Sequence, residues 1–242
     1  MTTRIWIDTD VGGNPDDELA LVCAIAHPDA SVVGISTVSG DPAWRAREAR
    51  AVVGADVAIV AGAPDSSALE AVDAFVAIGP WTNVATLAEM ERLPARVVCM
   101  GGALATVAHR GEQMRVEHNV GADPAAAARV CAQVDGLVVV PLDVTARLVV
   151  DDRLEARLRA ARPAVGEHID RWRRARGDHP ICLHDPLAVL VALGDARVTT
   201  RACDLAVDSI GAMRATDGAR HVLVTDVDVA STTTRVAELL GV

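Results

Sequence analysis

Four aspartates fall within the first seventeen residues, in the run Asp8-Thr9-Asp10-Val11-Gly12-Gly13-Asn14-Pro15-Asp16-Asp17. Carboxylates this close raise one another's pKa or demand a cation. Asp16 and Asp17 could cap a helix and complement its dipole, but that role explains one of them and leaves three acids over. Ligation by oxygen alone favours Ca2+ or Mg2+ above zinc, which draws on His or Cys. The spacing therefore predicts a bound hard cation with chemistry done at it.

Two further groupings could join it. In His184-Asp185-Pro186, Asp185 reads as a helix N-cap and Pro186 as the first helical residue, with His184 either structural or functional. In Glu117-His118-Asn119, Glu117 and Asn119 sit two apart in a loop. They can fork hydrogen bonds to a polyol or simply face solvent.

The elements that must position these residues alternate. Strand-like runs occur at 4–8, 31–39, 57–61, 75–78, 96–100 and 136–142, separated by helical patterns at 17–27, 42–53, 82–92 and 124–132. An Arg- and Ala-rich helical stretch over 153–176 follows. The tail reads as strands at 205–210 and 221–228 around an Asp217-Gly218 turn, then a helix to Leu240. That order predicts an α/β fold: a doubly wound, mostly parallel sheet flanked by helices, with a C-terminal β-hairpin and helix, in one domain over 1–242. In such sheets ligands gather at the carboxyl ends of strands, where Asp8 and Asp10, Gly40-Asp41, Gly79-Pro80, Gly101-Gly102 and Asp143 all fall.

Composition narrows the chemistry. All 23 basic residues are Arg, since the sequence holds no lysine, which removes Walker-type phosphate loops and Schiff-base mechanisms. A formal net charge of −10 disfavours nucleic acid and other polyanions as partners, so a neutral small molecule is expected. Tyr is absent and Phe75 is the only Phe, which leaves the core to Val, Ala, Leu and Ile. Five scattered cysteines without a Cys-x-x-Cys read as buried free thiols in a reducing compartment. A first strand that begins by Ile5 leaves no room for a signal peptide, and no apolar run approaches ~18 residues. A soluble, cytoplasmic protein without membrane contact is the expectation.

Taken in order, these pieces resemble the nucleoside hydrolases of the inosine–uridine-preferring type. Their opening motif, Asp-x-Asp-Pro-Gly-x-Asp-Asp, has a longer variant that the segment from Asp8 to Asp17 looks like. The resemblance continues through Ser36–Gly40, Gly79–Asn83, Val97–Gly102, Glu117–Asn119, Leu142–Thr145 and His184-Asp185-Pro186. It implies Ca2+ bound by Asp10, Asp17, Asp185 and the backbone carbonyl of Ile78, with Asp10 as the general base that deprotonates a water. Asp16, Glu117 and Asn119 would hold the ribose, and His184 would protonate or steer the departing base. Asp8 would support the others from behind. Asp41 stands where the family usually has an Asn close to the substrate. The long insertion usual between Ala61 and Phe75 is missing, as is the Asn that usually precedes the ribose-binding Glu. The resemblance also implies a homodimer or homotetramer and a place in purine or pyrimidine salvage. Two other readings stand beside hydrolysis of a nucleoside or related N-riboside. One is a non-catalytic calcium- and ribose-binding member or partner subunit. The other is a haloacid-dehalogenase phosphatase, suggested by Asp8-Thr9-Asp10 and opposed by the lack of lysine.

Overall fold

The computed structural model describes residues 2–242. β1 (Thr3–Thr9) leads into α1 (Pro15–Ala26), β2 (Ala30–Thr37), α2 (Pro42–Val53) and β3 (Ala58–Ala61). A 3-10 turn at Ser66–Leu69 precedes β4 (Ala74–Ala77), α3 (Thr82–Glu89) and β5 (Arg96–Met100). A small hairpin, β6 (Val107–His109) and β7 (Glu112–Met114), is followed by α4 (His118–Ala122), α5 (Pro124–Gln133), β8 (Val138–Val140) and α6 (Leu142–Thr145). The chain closes with α7 (Asp152–Ala161), α8 (Pro163–Arg176), α9 (His184–Leu193), β9 (Val198–Val207), β10 (Met213–Val227) and α10 (Val229–Leu240).

Eight strands form one sheet in the order β3-β2-β1-β4-β5-β8-β10-β9, parallel throughout except for the β9–β10 pair. The expected α/β architecture is thus present. Strand alternation supplies two cores. Ile5, Ile7, Val76, Val98 and Val140 pack on one face, while Trp6, Phe75, Ala77, Val97, Cys99 and Val139 pack on the other. From β1 the chain winds outward to β2 and β3, then returns to build β4, β5 and β8 on the opposite side. The carboxyl ends of β1 and β4 therefore flank the crevice where a doubly wound sheet binds its ligand.

Three local expectations change. The 153–176 stretch is two helices, because Pro163 has no N–H to continue α7 and holds Arg162 at φ −136°, ψ 78°. The final hairpin turns at 208–212, where Asp208 Oδ1 accepts from the N–H groups of Ile210 (3.0 Å) and Ala212 (2.9 Å). Asp217-Gly218 lies inside β10, at a break in register between Thr216 and His221, with Gly218 pressed against the Asp204 side chain. Finally, α9 starts at His184, two residues earlier than Pro186, with Leu183 at the N-cap. The bridge between Val149 and Cys182, and the bond from Leu183 N–H to Leu148 O (2.8 Å), hold the preceding segment extended. Asp185 is consequently not an N-cap; it stands within the first turn with its carboxylate free for the site.

Candidate active site

β1 ends at the crevice, with Asp8 turned behind the strand and Asp10, just past its end, lining the cleft. Asp8 is fully buried, and its Oδ1 accepts from Ser36 Oγ (2.5 Å) and Asn83 Nδ2 (2.8 Å). Trp6 Nε1 donates in turn to Ser36 Oγ at 3.0 Å, so a polar chain runs behind the strand. Burial pushes the Asp8 carboxyl up to about 7, against the two hydrogen bonds that pull it down. Asp8 braces the end of β1 against β2 and α3.

The glycine turn after β1 folds α1 back onto the strand. Asn14 occupies the N-cap without a side-chain capping bond, so Asp16 and Asp17 in the first turn are not spent on the helix end. Thr9 Oγ1 donates to Asp17 Oδ1 (2.5 Å) and accepts from Val11 N–H (3.1 Å), which fixes the turn. Gly79, after β4, has no side chain where a Cβ would lie 2.9 Å from the Asp10 backbone nitrogen and 3.2 Å from its Oδ1. Gly79→Ala will therefore cost about 1–3 kcal/mol by overpacking. Turnover should fall at least about tenfold because Asp10 is displaced; denaturant melts beside steady-state rates will separate the two effects.

Carboxylate oxygens of Asp16, Asp17 and Asp185 lie within 4.8 Å of one another, and all three residues are buried. Asp10 is outside this tight trio. It leans toward Arg45, whose Nη2 lies 3.5 Å from Asp10 Oδ2 while the same guanidinium donates to the carbonyls of Val11 and Ser39. Burial raises the Asp16 carboxyl to about 7, with Arg110 opposing. Burial and then the charges of Asp10 and Asp16 lift Asp17 well above the carboxylate range. Burial and then Asp16 and Asp17 do the same to Asp185. Oδ1 of Asp16 and Oδ1 of Asn14 are buried without a hydrogen-bond partner. Stranded acceptors among mutually repelling acids are what a hard cation satisfies, so the donor set fits such an ion.

Glu117 and Asn119 arrive with α4. Glu117 caps α4 and is buried; its carboxylate accepts from the N–H groups of Gly102 (2.9 Å), Asn119 (2.8 Å) and Val120 (3.1 Å). Asn119 Nδ2 donates to the carbonyl of Ile78 at 3.0 Å. Asp10, Asp16, Asp17, Ile78, Glu117, Asn119, His184 and Asp185 together line one cleft of about 670 Å³. Asp41 does not join them: it is exposed and its Oδ1 accepts from Trp44 N–H (3.0 Å), capping α2.

Several cleft residues are not evident from the sequence pattern. His109 and Arg110 come from the β6–β7 hairpin, whose two-residue turn places Arg110 at φ 51° and Gly111 at φ 77°. Trp172 and His168 come from α8, and His179 from the segment after it. Arg110 lies 5.0 Å over the Trp172 ring, joining hairpin to helix. His168 Nδ1 meets Glu18 Oε2 at 2.8 Å and its Nε2 meets Gly13 O at 3.2 Å, tying α8 to the glycine turn. The Arg-Gly turn was the available signal for the hairpin; nothing local in the α8 sequence marks its cleft-facing residues.

Among known families, that of the inosine-uridine preferring nucleoside hydrolases matches residues 68–238. The chain belongs to this family. The match begins after the opening aspartates, so tertiary structure is what brings those acids to Asp185. Solved structures with the same fold include an inosine-guanosine nucleoside hydrolase (19% identity over 100% of this chain and 99% of the other, TM-score 0.80). A purine-preferring ribonucleoside hydrolase from Gardnerella vaginalis follows (21%, 98% and 99%, TM-score 0.78). An inosine-uridine preferring nucleoside hydrolase from Bacillus anthracis is similar too (19%, 99% and 99%, TM-score 0.75). No curated protein matches the chain. The family makes this chain a hydrolase of a metal-dependent kind, with N-ribosyl hydrolysis as its class of reaction and a nucleoside as its class of substrate. Among the described residues, no helix is long and apolar enough to cross a membrane.

Proposed function

We propose that this chain, as one domain over 1–242, hydrolyses the N-glycosidic bond of a ribonucleoside or related N-riboside, with Ca2+ held by Asp10, Asp17, Asp185 and the Ile78 carbonyl. The observation that carries this reading is the set of buried, mutually repelling carboxylates at the β1/β4 crevice, with unpartnered acceptors on Asp16 and Asn14. Only oxygen donors are offered there, which favours Ca2+ or Mg2+ over zinc, and the family resemblance selects Ca2+. When bound, the ion would supply an anchor for ribose hydroxyls and lower the pKa of a water.

The chain's own groups divide the remaining work. Asp10 is the general base: it lines the cleft and is only half-buried, whereas Asp16, Asp17 and Asp185 are buried. Asp16, Glu117 and Asn119 hydrogen-bond the ribose. The acidic floor stabilises the positive charge that develops on the sugar as the bond to the base breaks. His184 faces the departing base. Its Nδ1 lies 2.8 Å from Thr145 Oγ1, and with that hydroxyl donating, Nε2 carries the ring proton. Burial, then His109 and Arg110, push His184 well below its ordinary value, so it acts as a neutral donor to the charge building on the base. Asp41, engaged in capping α2, is given no role. Likeness to the family supports homodimer or homotetramer assembly and a cytoplasmic role in nucleobase salvage.

A reducing-sugar assay over a panel of purine and pyrimidine ribonucleosides tests this directly. Free ribose should appear, vanish with EDTA, return with Ca2+, and drop about 10²–10⁴-fold in Asp10→Asn. Calcium binding without cleavage of any N-riboside in the panel would refute the catalytic reading in favour of a binding module.

A further inference from the structure

Beside the acids sits a second cluster of different chemistry. His109 from β6, Cys182 from the extended segment before α9, and His184 at the start of α9 each offer one donor atom. Those atoms lie within 4.8 Å of one another, and all three residues are buried. The rings of His109 and His184 meet edge-on, with centroids 5.0 Å apart and planes at 75°. We propose that His109, Cys182 and His184 form a binding site for a soft divalent ion, Zn2+ by the chemistry of its donors, and that its occupation shuts the hydrolytic centre.

The donor set separates this site from its neighbour. Two imidazoles and a thiolate suit Zn2+ and poorly suit Ca2+ or Mg2+, which the oxygen-only acids a few residues away prefer. Zinc bonds of about 2.0–2.3 Å place tetrahedral ligands about 3.3–3.8 Å apart, so each donor needs to move by roughly 1 Å or less. The backbones that carry them are already fixed. Cys182 is pinned by its bridge to Val149, and the loop leading into β6 is held by Asp143, which accepts from the N–H groups of Leu104 (2.8 Å) and Ala105 (2.9 Å). The sulfur itself is loosely held, its contact with the Ala146 carbonyl being 3.9 Å long. Thr145 Oγ1 can also accept from His184 Nδ1–H, and that tautomer orients a ligating imidazole and leaves Nε2 for the metal. Both histidines line the cleft, which leaves the fourth position to water. A buried structural thiol explains Cys182 alone but not the convergence of two imidazoles on it.

Binding forms one Zn–S and two Zn–N bonds; the thiol proton leaves to solvent, and the His184 ring proton moves from Nε2 to Nδ1, where Thr145 Oγ1 accepts from it. No electron is transferred. Once ligated, His184 Nε2 cannot donate to a leaving base; this inhibitory half rests on the hydrolase reading, whereas the binding half does not.

Cobalt(II) serves as the spectroscopic probe for the full-length protein with excess Ca2+ holding the acids. One equivalent should give intense tetrahedral d–d bands and a thiolate-to-metal charge-transfer band, both erased by one equivalent of Zn2+. Cys182→Ser, which keeps a hydrogen-bond donor of similar size, should lose the charge-transfer band. Weak octahedral cobalt spectra in the unaltered protein, or a charge-transfer band that survives in Cys182→Ser, would overturn the site whatever the catalytic outcome. In the ribose assay, low-micromolar Zn2+ should suppress turnover reversibly, and Cys182→Ser should raise the inhibitory concentration at least about tenfold while keeping its basal rate. Equal zinc sensitivity in that variant would overturn the inhibitory half.

Discussion

Asp17→Asn will stabilise the cation-free protein at pH 8 while reducing turnover by about 10³-fold or more. The two effects have opposite signs because the residue does opposite things in the two contexts. Without a cation, Asp17 is a buried carboxylate whose protonation is favoured by burial first and by the charges of Asp10 and Asp16 next. Asparagine occupies the same space, and its Oδ1 still accepts from Thr9 Oγ1. Its amide adds a donor among stranded acceptors where a negative charge stood. One buried like-charge repulsion is removed and no cavity is made. With the cation in play, the same exchange deletes an anionic ligand from the set assigned to Ca2+. Thermal melts in EDTA, calcium titration calorimetry and ribose release on one preparation will read all three quantities. A variant less stable than the parent in EDTA, or one that keeps turnover within tenfold, would refute the assignment.

Chelated protein will lose stability as pH rises from 6.5 to 8.5, by about 3–6 °C in Tm per pH unit for each excess proton the folded state binds. Asp8 and Asp16 are raised to about 7 from an ordinary 3.8, and Asp17 and Asp185 are also raised well above it, in each case by burial before any other cause. Between the unfolded and folded values the native state holds more protons than the unfolded chain. The associated stability is complete below 3.8 and drains away as pH climbs through the folded values. Buried histidines work the other way below 6.5. His109 is pushed down to about 4, and His184 and His221 are also lowered, all chiefly by burial, so protonation there favours the unfolded chain. The two sets oppose each other from pH 4 to 6.5 and flatten the profile. Above 6.5 the histidines lose their influence, and the raised carboxyls set a falling slope, joined toward 8.5 by the cysteine thiols that burial also pushes up. Saturating Ca2+ should lessen the decline, since ligation ionises Asp17 and Asp185 in the folded protein. A flat or rising Tm in EDTA over pH 6.5–8.5 would show that the acids do not share a buried site.

Much of this was legible residue by residue. Strand–helix alternation gave the parallel sheet, because the side-chain period reports which faces are buried. The density of like charge between β1 and α1 announced a cation site without reference to any partner, since no fold makes adjacent buried carboxylates comfortable. Pro163 was equally visible, yet the 153–176 run hides its break inside strong helix formers. The turn at 208–212 was missed because Asp217-Gly218 offers the stronger local signal, while the pairing of β9 with β10 overrides it. The start of α9 differs by two positions for a similar reason: the Asp-Pro pair suggests a cap, and only the bridge to Val149 moves the helix start.

By itself, then, the sequence determined the sheet and the acid-rich turn, both consequences of spacing along a few neighbouring residues. Tertiary structure alone decided which acids meet. It joined Asp185 to Asp16 and Asp17 across more than 160 residues of chain, sent Asp41 away to cap α2, and covered the cleft with the β6–β7 hairpin and α8. It also brought His109 against Cys182 and His184, a juxtaposition no spacing encodes. Such contacts depend on how separate elements pack on the sheet, and packing is settled by summed burial over the whole chain.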